Sequence, residues 1–184
     1  MQENRNTTDE GLFHRIKNDD PQALKILFER YFSALCHFAC KFVRNTNLTE
    51  EIVSDVFLNI WLKKEKIEIK INLKTYLYTA VRNQSLNYLK KNKIHLEDIE
   101  TVVKENKTSD MNADNSITYE ELKYDIDALL QQLPEKRQNI FRMNRIDGLS
   151  YKEIAEILSI SIYTVQNQMV AAVKFLTNQY PRYK

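Results

Sequence analysis

The chain has 184 residues and a mass of 21.9 kDa, room for one ordinary domain or two small ones. Only two glycines (Gly11, Gly148) and three prolines (Pro21, Pro134, Pro181) interrupt it, too few turn formers for strands joined by tight turns, so the class is all-α. The formal charge of +2 conceals a segregation: nine Lys or Arg face two acids from Leu62 to Lys93, ten acids face three bases from Ile94 to Leu133, and eight bases face four acids from Pro134 to Lys184.

No stretch reaches the roughly 18 to 20 apolar residues of a membrane-spanning helix, and the polar start MQENRNTTDE lacks the apolar core of a secretory signal. The expectation is a cytoplasmic protein without direct membrane insertion. Cys36 and Cys40 sit in one apolar helical segment, YFSALCHFACKFV, where they form no disulfide framework. Two basic modules around an acidic connector are the footprint of a polyanion binder, although a charged helix face is also simply well solvated.

In chain order, residues 1–9 read as a disordered tail. Asp20 and Pro21 mark a helix start, and Leu24, Leu27, Phe28, Tyr31, Phe32 and Leu35 recur at helical spacing through to Phe42 and Val43. RNTNLTEE follows as a turn with Thr49 as the expected N-cap, before a helix to about Leu62 whose apolar stripe is Ile52, Val53, Val56, Phe57, Ile60 and Trp61. Ile67, Ile69 and Ile71 alternate with charge like a strand. The third helix is expected from about Leu73 to Lys91, with Tyr76, Leu77, Leu86 and Leu89 packing inward. The first domain is thus 10–93, and the polar, aperiodic stretch 94–118 is a flexible acidic linker. The second domain, 119–184, opens with apolar Leu122, Ile126, Leu129, Leu130 and Leu133, breaks at Pro134 and resumes from Glu135 to about Ile146.

From Gly148 the sequence reads GLSYKEIAEILSISIYTVQNQMVAAVKFL. Ser150 and Glu153 have capping-box spacing and start a helix to about Leu158. Ala155 lets a second helix cross closely. Ser159 to Ser161 is the turn, and Ser161 caps a helix whose inner face is Ile162, Val165, Met169, Ala172, Val173 and Leu176. Its outer face carries Tyr163, Thr164, Gln166, Asn167, Gln168 and Lys174. An exposed row of amides and hydroxyls on a helix-turn-helix suits the donor and acceptor pattern of base edges in the major groove, although ordinary helical hairpins share the same periodicity.

Two motifs, LTEEIVSDVFLNIW with INLKTYLYTAVRNQSLNYLKK, and LPEKRQNIFRMNRIDGLSYKEIAEILSISIYTVQNQM, stand in an order and at a separation that resemble the extracytoplasmic-function (ECF) group of bacterial RNA polymerase sigma factors. The resemblance implies that the helix bearing Glu51, Ser54, Asp55, Phe57 and Trp61 docks on core polymerase, although Phe57 and Trp61 read equally as core. Ser54 and Asp55 stand where the family usually has Gln and Glu. It assigns Lys74, Tyr78, Arg82, Asn83 and Asn87 to the opened minus-ten strand, since aromatics, Arg and Asn beside Lys suit exposed bases. A flipped base would sit near Lys70 to Asn72. Ser161, Tyr163, Thr164, Gln166, Asn167, Gln168 and Lys174 fall to the minus-thirty-five duplex. Promoter DNA, core polymerase and an anti-sigma factor are the implied partners. The acidic linker reads either as a solvated connector or, by family analogy, as a phosphate mimic threading polymerase channels.

An alternative is a helix-turn-helix regulator of the response-regulator type, which needs a receiver domain that the first 93 residues do not resemble. No enzyme, cofactor, small-molecule substrate or metal is expected: His14, His37 and His95 are scattered, no glycine-rich phosphate loop is present, and Cys36, His37 and Cys40 fall short of the four ligands of a structural site. Gln166, Gln168 and Ala171 replace bases common along the family's recognition helix, leaving Arg142, Arg145, Lys152 and Lys174 for phosphates, each lost contact reducing the salt slope by roughly 0.9. The second domain alone is therefore predicted to bind its promoter element weakly, which a filter-binding titration at physiological salt checks; nanomolar affinity would contradict it.

Overall fold

The computed structural model describes residues 7–95 and 128–179. The expected linker, 94–118, lies outside the described residues except for the helical backbone of 94–95. Among the described residues every regular element is helical, as the composition requires. Contacts divide the chain into two compact units, one built on the helices before the linker and one on those after it.

The first helix, α1, spans Asp9–Lys17 and was not anticipated as a separate element. Thr8 caps it by accepting from the Gly11 amide at 3.2 Å, and Leu12, Phe13 and Ile16 are buried. Both ends are tied to α2, Pro21–Val43. Asp9 takes an ion pair from Arg30 at 2.6 Å and a hydrogen bond from the Tyr31 hydroxyl, while Arg30 Nη2 also donates to the Thr7 carbonyl at 3.0 Å. Burial, then the bond to Asp9, raises the Tyr31 phenol well above its ordinary range.

Asp20 starts α2 as expected. One carboxylate oxygen accepts from the Gln22 and Ala23 amides at 2.9 and 3.4 Å, and the other meets Arg15 at 2.8 Å. Proline at the first position costs nothing there, because that amide has no helical partner. The helix runs unbroken for 23 residues and packs against α1, α3 and α4.

The helix α3 spans Thr46–Lys63, beginning three residues before the expected cap. Asn45 is the cap, accepting from the Leu48 amide at 3.1 Å, and Arg44 makes the left-handed break after α2. Thr49 is instead buried within the first turns, its hydroxyl donating to the Thr46 carbonyl at 2.6 Å. A short 3₁₀ turn, Lys64–Lys66, follows. The alternating isoleucines after it form no strand; they lead into α4, Leu73–His95, whose Thr75 amide donates to Asn72 at 2.8 Å.

Two aromatic contacts join the layers. Phe28 of α2 meets Phe57 of α3 edge-on at 5.0 Å, and Phe38 of α2 meets Tyr78 of α4 at 5.0 Å. Such pairs add about 0.5–1.5 kcal/mol to the area they bury.

In the second unit, residues 128–131 are helical and Leu130 and Leu133 are buried, before α5, Glu135–Arg145. The rest of the expected opening helix lies outside the described residues. Two further helices, α6, Tyr151–Leu158, and α7, Ile162–Gln179, complete the unit. Leu130, Leu133 and Ala172 cluster with Phe141, Phe175 and Leu176.

The doubly bonded Asp20 carboxylate is held below its ordinary range, chiefly by Arg15, with the two capping amides assisting. Its contribution to stability is complete above the unfolded carboxylate range and disappears as pH falls through the lowered folded value. Asp20→Asn keeps a capping oxygen but loses the charge, so its urea midpoint should fall less than the parent's on acidification; parallel curves would contradict this.

Candidate nucleic-acid interfaces

Helix geometry decides which predicted residues are available. On α3, Ile52, Val53, Val56, Phe57 and Ile60 face the core. Phe57, expected among the docking residues, is only 3% exposed and spent on Phe28: this is a correction, and its physical reason is that Phe57 follows Val53 by one turn on the buried stripe. Glu51, Ser54 and Asp55 are exposed. Asp55 accepts from Gln84 of α4 at 3.2 Å, fixing the carboxylate at the seam of the two helices. Trp61 is half-buried, with the Lys64 ammonium 4.1 Å from its ring centroid, and Lys64 is paired with Asp19. The sequence reading missed Leu58 and Leu62, 55% and 68% exposed, which continue the Glu51 to Asp55 face one and two turns on. The signal was their offset from the core stripe, hidden because leucine ordinarily reads as interior.

On α4, Leu73, Leu77, Tyr78, Val81 and Ser85 are buried. Tyr78 is the second correction: at 1% exposure and against Phe38, it offers no face to a base. Asn83 and Asn87 are exposed one turn apart, Arg82 and Lys74 are half-buried, and Arg82 Nη1 donates to Asn83 Oδ1 at 3.3 Å. Lys90 and Lys91 are exposed beyond them, and the exposed aromatic on this stretch is Tyr88, also missed. Leu77 packs inward as expected, whereas Tyr76, Leu86 and Leu89 are half-buried.

In the second unit the capping box is complete: the Ser150 amide donates to Glu153 at 2.7 Å, and the Glu153 amide to the Ser150 hydroxyl at 3.3 Å. Ile154, Ala155 and Ile157 are buried. Ser159 adopts φ 54, ending α6 in a left-handed turn. Ser161 then caps α7, accepting from the Thr164 amide at 3.0 Å and sharing a 2.8 Å bond with the Thr164 hydroxyl.

Val165, Met169 and Ala172 form the buried side of α7, with Leu176 half-buried. Ile162 and Val173, expected inward, are exposed, because they lie on the edge of that stripe rather than within it. Tyr163, at 71% exposure, and Gln166, Asn167 and Lys174 point to solvent. Thr164 and Gln168 are committed within the unit, Thr164 to the cap and Gln168 as acceptor from Arg137 Nε at 3.2 Å. Arg145 and Lys152 are exposed, Arg142 half-buried.

Burial pushes the Cys36 thiol up, with Glu50 adding to it, opposite to the shift that makes a cysteine reactive. Among the described residues no group of three or more His, Cys, Asp or Glu could hold a metal ion, and no helix is long and apolar enough to cross a membrane.

Comparison with known proteins gives two family matches in the order of the two units: sigma-70 region 2 over residues 27–94 and sigma-70 region 4 over residues 123–176. The chain is similar to the ECF RNA polymerase sigma-E factor of Escherichia coli (strain K12), 24% identical over 180 residues that cover 94% of each chain. The protein of the same name from Haemophilus influenzae is also 24% identical, over 94% of this chain and 95% of its own. Two solved structures share the fold. CnrH in complex with the cytosolic domain of CnrY has a TM-score of 0.60 and 17% identity over 96% of this chain and 99% of its own. Sigma factor RpoE in complex with the anti-sigma factor NepR, from Bartonella quintana, has a TM-score of 0.61 and 22% identity over 87% and 98%.

Core and surface positions on one helix should separate by stability. Phe57→Ala and Tyr78→Ala are each expected to cost about 3–5 kcal/mol, and Leu58→Ala and Asn83→Ala less than about 0.5 kcal/mol. Urea denaturation reads the difference; equal losses would contradict the assigned faces.

Proposed function

Because the chain belongs to the sigma-70 family of RNA polymerase sigma factors, in its ECF group, we propose a division of labour among three helix faces: α3 for core polymerase, α4 for the opened minus-ten strand, and α7 for the minus-thirty-five duplex. A sigma factor is not a catalyst. It lends core polymerase promoter recognition, and binding energy from exposed bases offsets the cost of opening the duplex.

The observation that carries this division is that each helix buries one stripe and leaves a chemically different one free. Around α3 the free stripe is acidic and apolar, with Glu51, Asp55, Leu58 and Leu62. A mixed surface of this kind suits a protein partner, where a few desolvated apolar contacts carry most of the energy. Trp61, half-covered by Lys64, stands at its edge.

On α4 the free stripe is amide and cationic. Asn83 and Asn87 carry donors and acceptors for Watson–Crick edges, and Arg82, Lys90 and Lys91 supply positive charge for the backbone, with half-buried Lys74 adding charge at the start of the helix. Tyr88 takes the stacking role first given to Tyr78. The α7 stripe is nearly neutral, so it suits base reading more than phosphate attraction, with Arg145 and Lys152 nearby in sequence to position the backbone. The proposed domain limits are 10–93 and 119–184 with 94–118 as connector, a division supported by two separate matched regions, 27–94 and 123–176. A factor that acts with core polymerase on promoter DNA works in the cytoplasm, and the neighbour solved with the anti-sigma factor NepR supports control of this chain by an anti-sigma factor.

Two pairs of substitutions distinguish the faces. Leu58→Ser with Leu62→Ser should weaken capture of core polymerase about tenfold or more in a native-gel titration. Asn83→Ala with Asn87→Ala should leave that affinity unchanged but abolish permanganate-reactive thymines at the start region. If the asparagine pair weakened core binding instead, the assignment of α4 would be wrong.

A further inference from the structure

The exposed face of α7 carries an apolar residue at its centre. Projected at 3.6 residues per turn, Tyr163, Gln166, Asn167, Val170 and Lys174 fall within about 100° of one another, opposite buried Val165, Met169 and Ala172. Val170 is 68% exposed. Gln166 and Asn167, one turn earlier, and Lys174, one turn later, are all exposed around it. Lys174 is the single charged residue of α7.

Resting on the reading of α7 as the duplex-reading helix, we propose that Val170 is a specificity residue that recognises the C5-methyl group of a thymine in the minus-thirty-five element. A lone exposed valine needs no explanation on an ordinary surface. At the centre of a face that closes on base edges its effect is selective, because a base edge covered by Val170 loses water and gains no hydrogen bond. Guanine and adenine present N7 with O6 or N6 in the major groove and cytosine its N4 amino group beside a bare C5–H, so covering them with Val170 leaves polar groups unpaired without gaining a methyl contact, which costs free energy. Thymine alone offers a methyl group there. Gln166 and Asn167 can meanwhile pair with neighbouring edges, and Lys174 reaches a phosphate. The row of amides, valine and lysine matches a groove floor and its wall; a protein groove would leave the amides buried without partners.

The test uses core polymerase with the full-length chain and a duplex library randomised over the upstream element, selected by open-complex formation. Selected duplexes are then remade with deoxyuridine replacing thymine, one position at a time, which deletes only the methyl group. One position should lose about fourfold in open-complex formation, the worth of one methyl contact, and Val170→Ala should erase that difference while Gln166→Ala retains it. Val170→Ala changes an exposed helical position to the best helix former, so folding is preserved. Wild-type indifference to deoxyuridine at every position would overturn the proposal, as would discrimination that survives in Val170→Ala; the valine would then face a protein partner instead. Failure to select any upstream element would overturn the reading of α7 itself, an outcome distinct from selection without methyl dependence.

Discussion

The packing of α2 against its three neighbours is the constraint from which the first unit follows. This 23-residue helix uses Phe28 to hold α3 through Phe57 and Phe38 to hold α4 through Tyr78. Once those rings are engaged, the rotation of each neighbour is set, since a helix turned by one residue would move its anchor about 100° off the contact. The free faces are therefore consequences of the buried ones. Glu51, Asp55, Leu58 and Leu62 are presented because Phe57 is not, and Asn83 and Asn87 because Tyr78 is not. The positions proposed for function on this unit are those that the aromatic contacts leave over.

The second unit reaches the same result with less core and more local chemistry. A capping box, a left-handed Ser159 and the Ser161 cap set both helix ends within a few residues, and Val165, Met169 and Ala172 then orient α7. Its presented face is neutral apart from Lys174. On the proposed reading, recognition here depends on shape and hydrogen bonds more than on charge, which assigns the basic face of α4 a larger part in attracting DNA.

Legibility in the sequence followed the range of the interactions. The capping residues Asp20, Ser150, Glu153 and Ser161 act within three or four positions, and they were readable. So were the helical class and the amide pair on α4. Thr49 was mistaken for a cap because both Asn45 and Thr49 have the right chemistry, and the choice rests on where the chain leaves α2 with Arg44 left-handed, a tertiary matter. Phe57, expected both in the apolar stripe and on the docking face, and Tyr78, expected on DNA, were misassigned for a related reason: an aromatic's residue type fits core and surface alike until its partner ring is known. Leu58 and Leu62 went unnoticed because their residue type argues for burial, and α1 because nine residues show too little periodicity without Arg30 and Tyr31 to anchor Asp9. The family resemblance supplied roles that no spacing could supply, yet it transferred Phe57 and Tyr78 to surfaces they do not occupy.

The central claim is that both units act through one polymerase, the first on an opened strand and the second on a duplex upstream. The direct measurement is run-off transcription from genomic fragments by purified core polymerase, with and without the chain, and with start sites mapped. Transcripts that depend on the chain and share two sequence elements at fixed spacing upstream of their starts are the predicted result. No chain-dependent transcript from a core polymerase that is active on a nonspecific template would contradict the account.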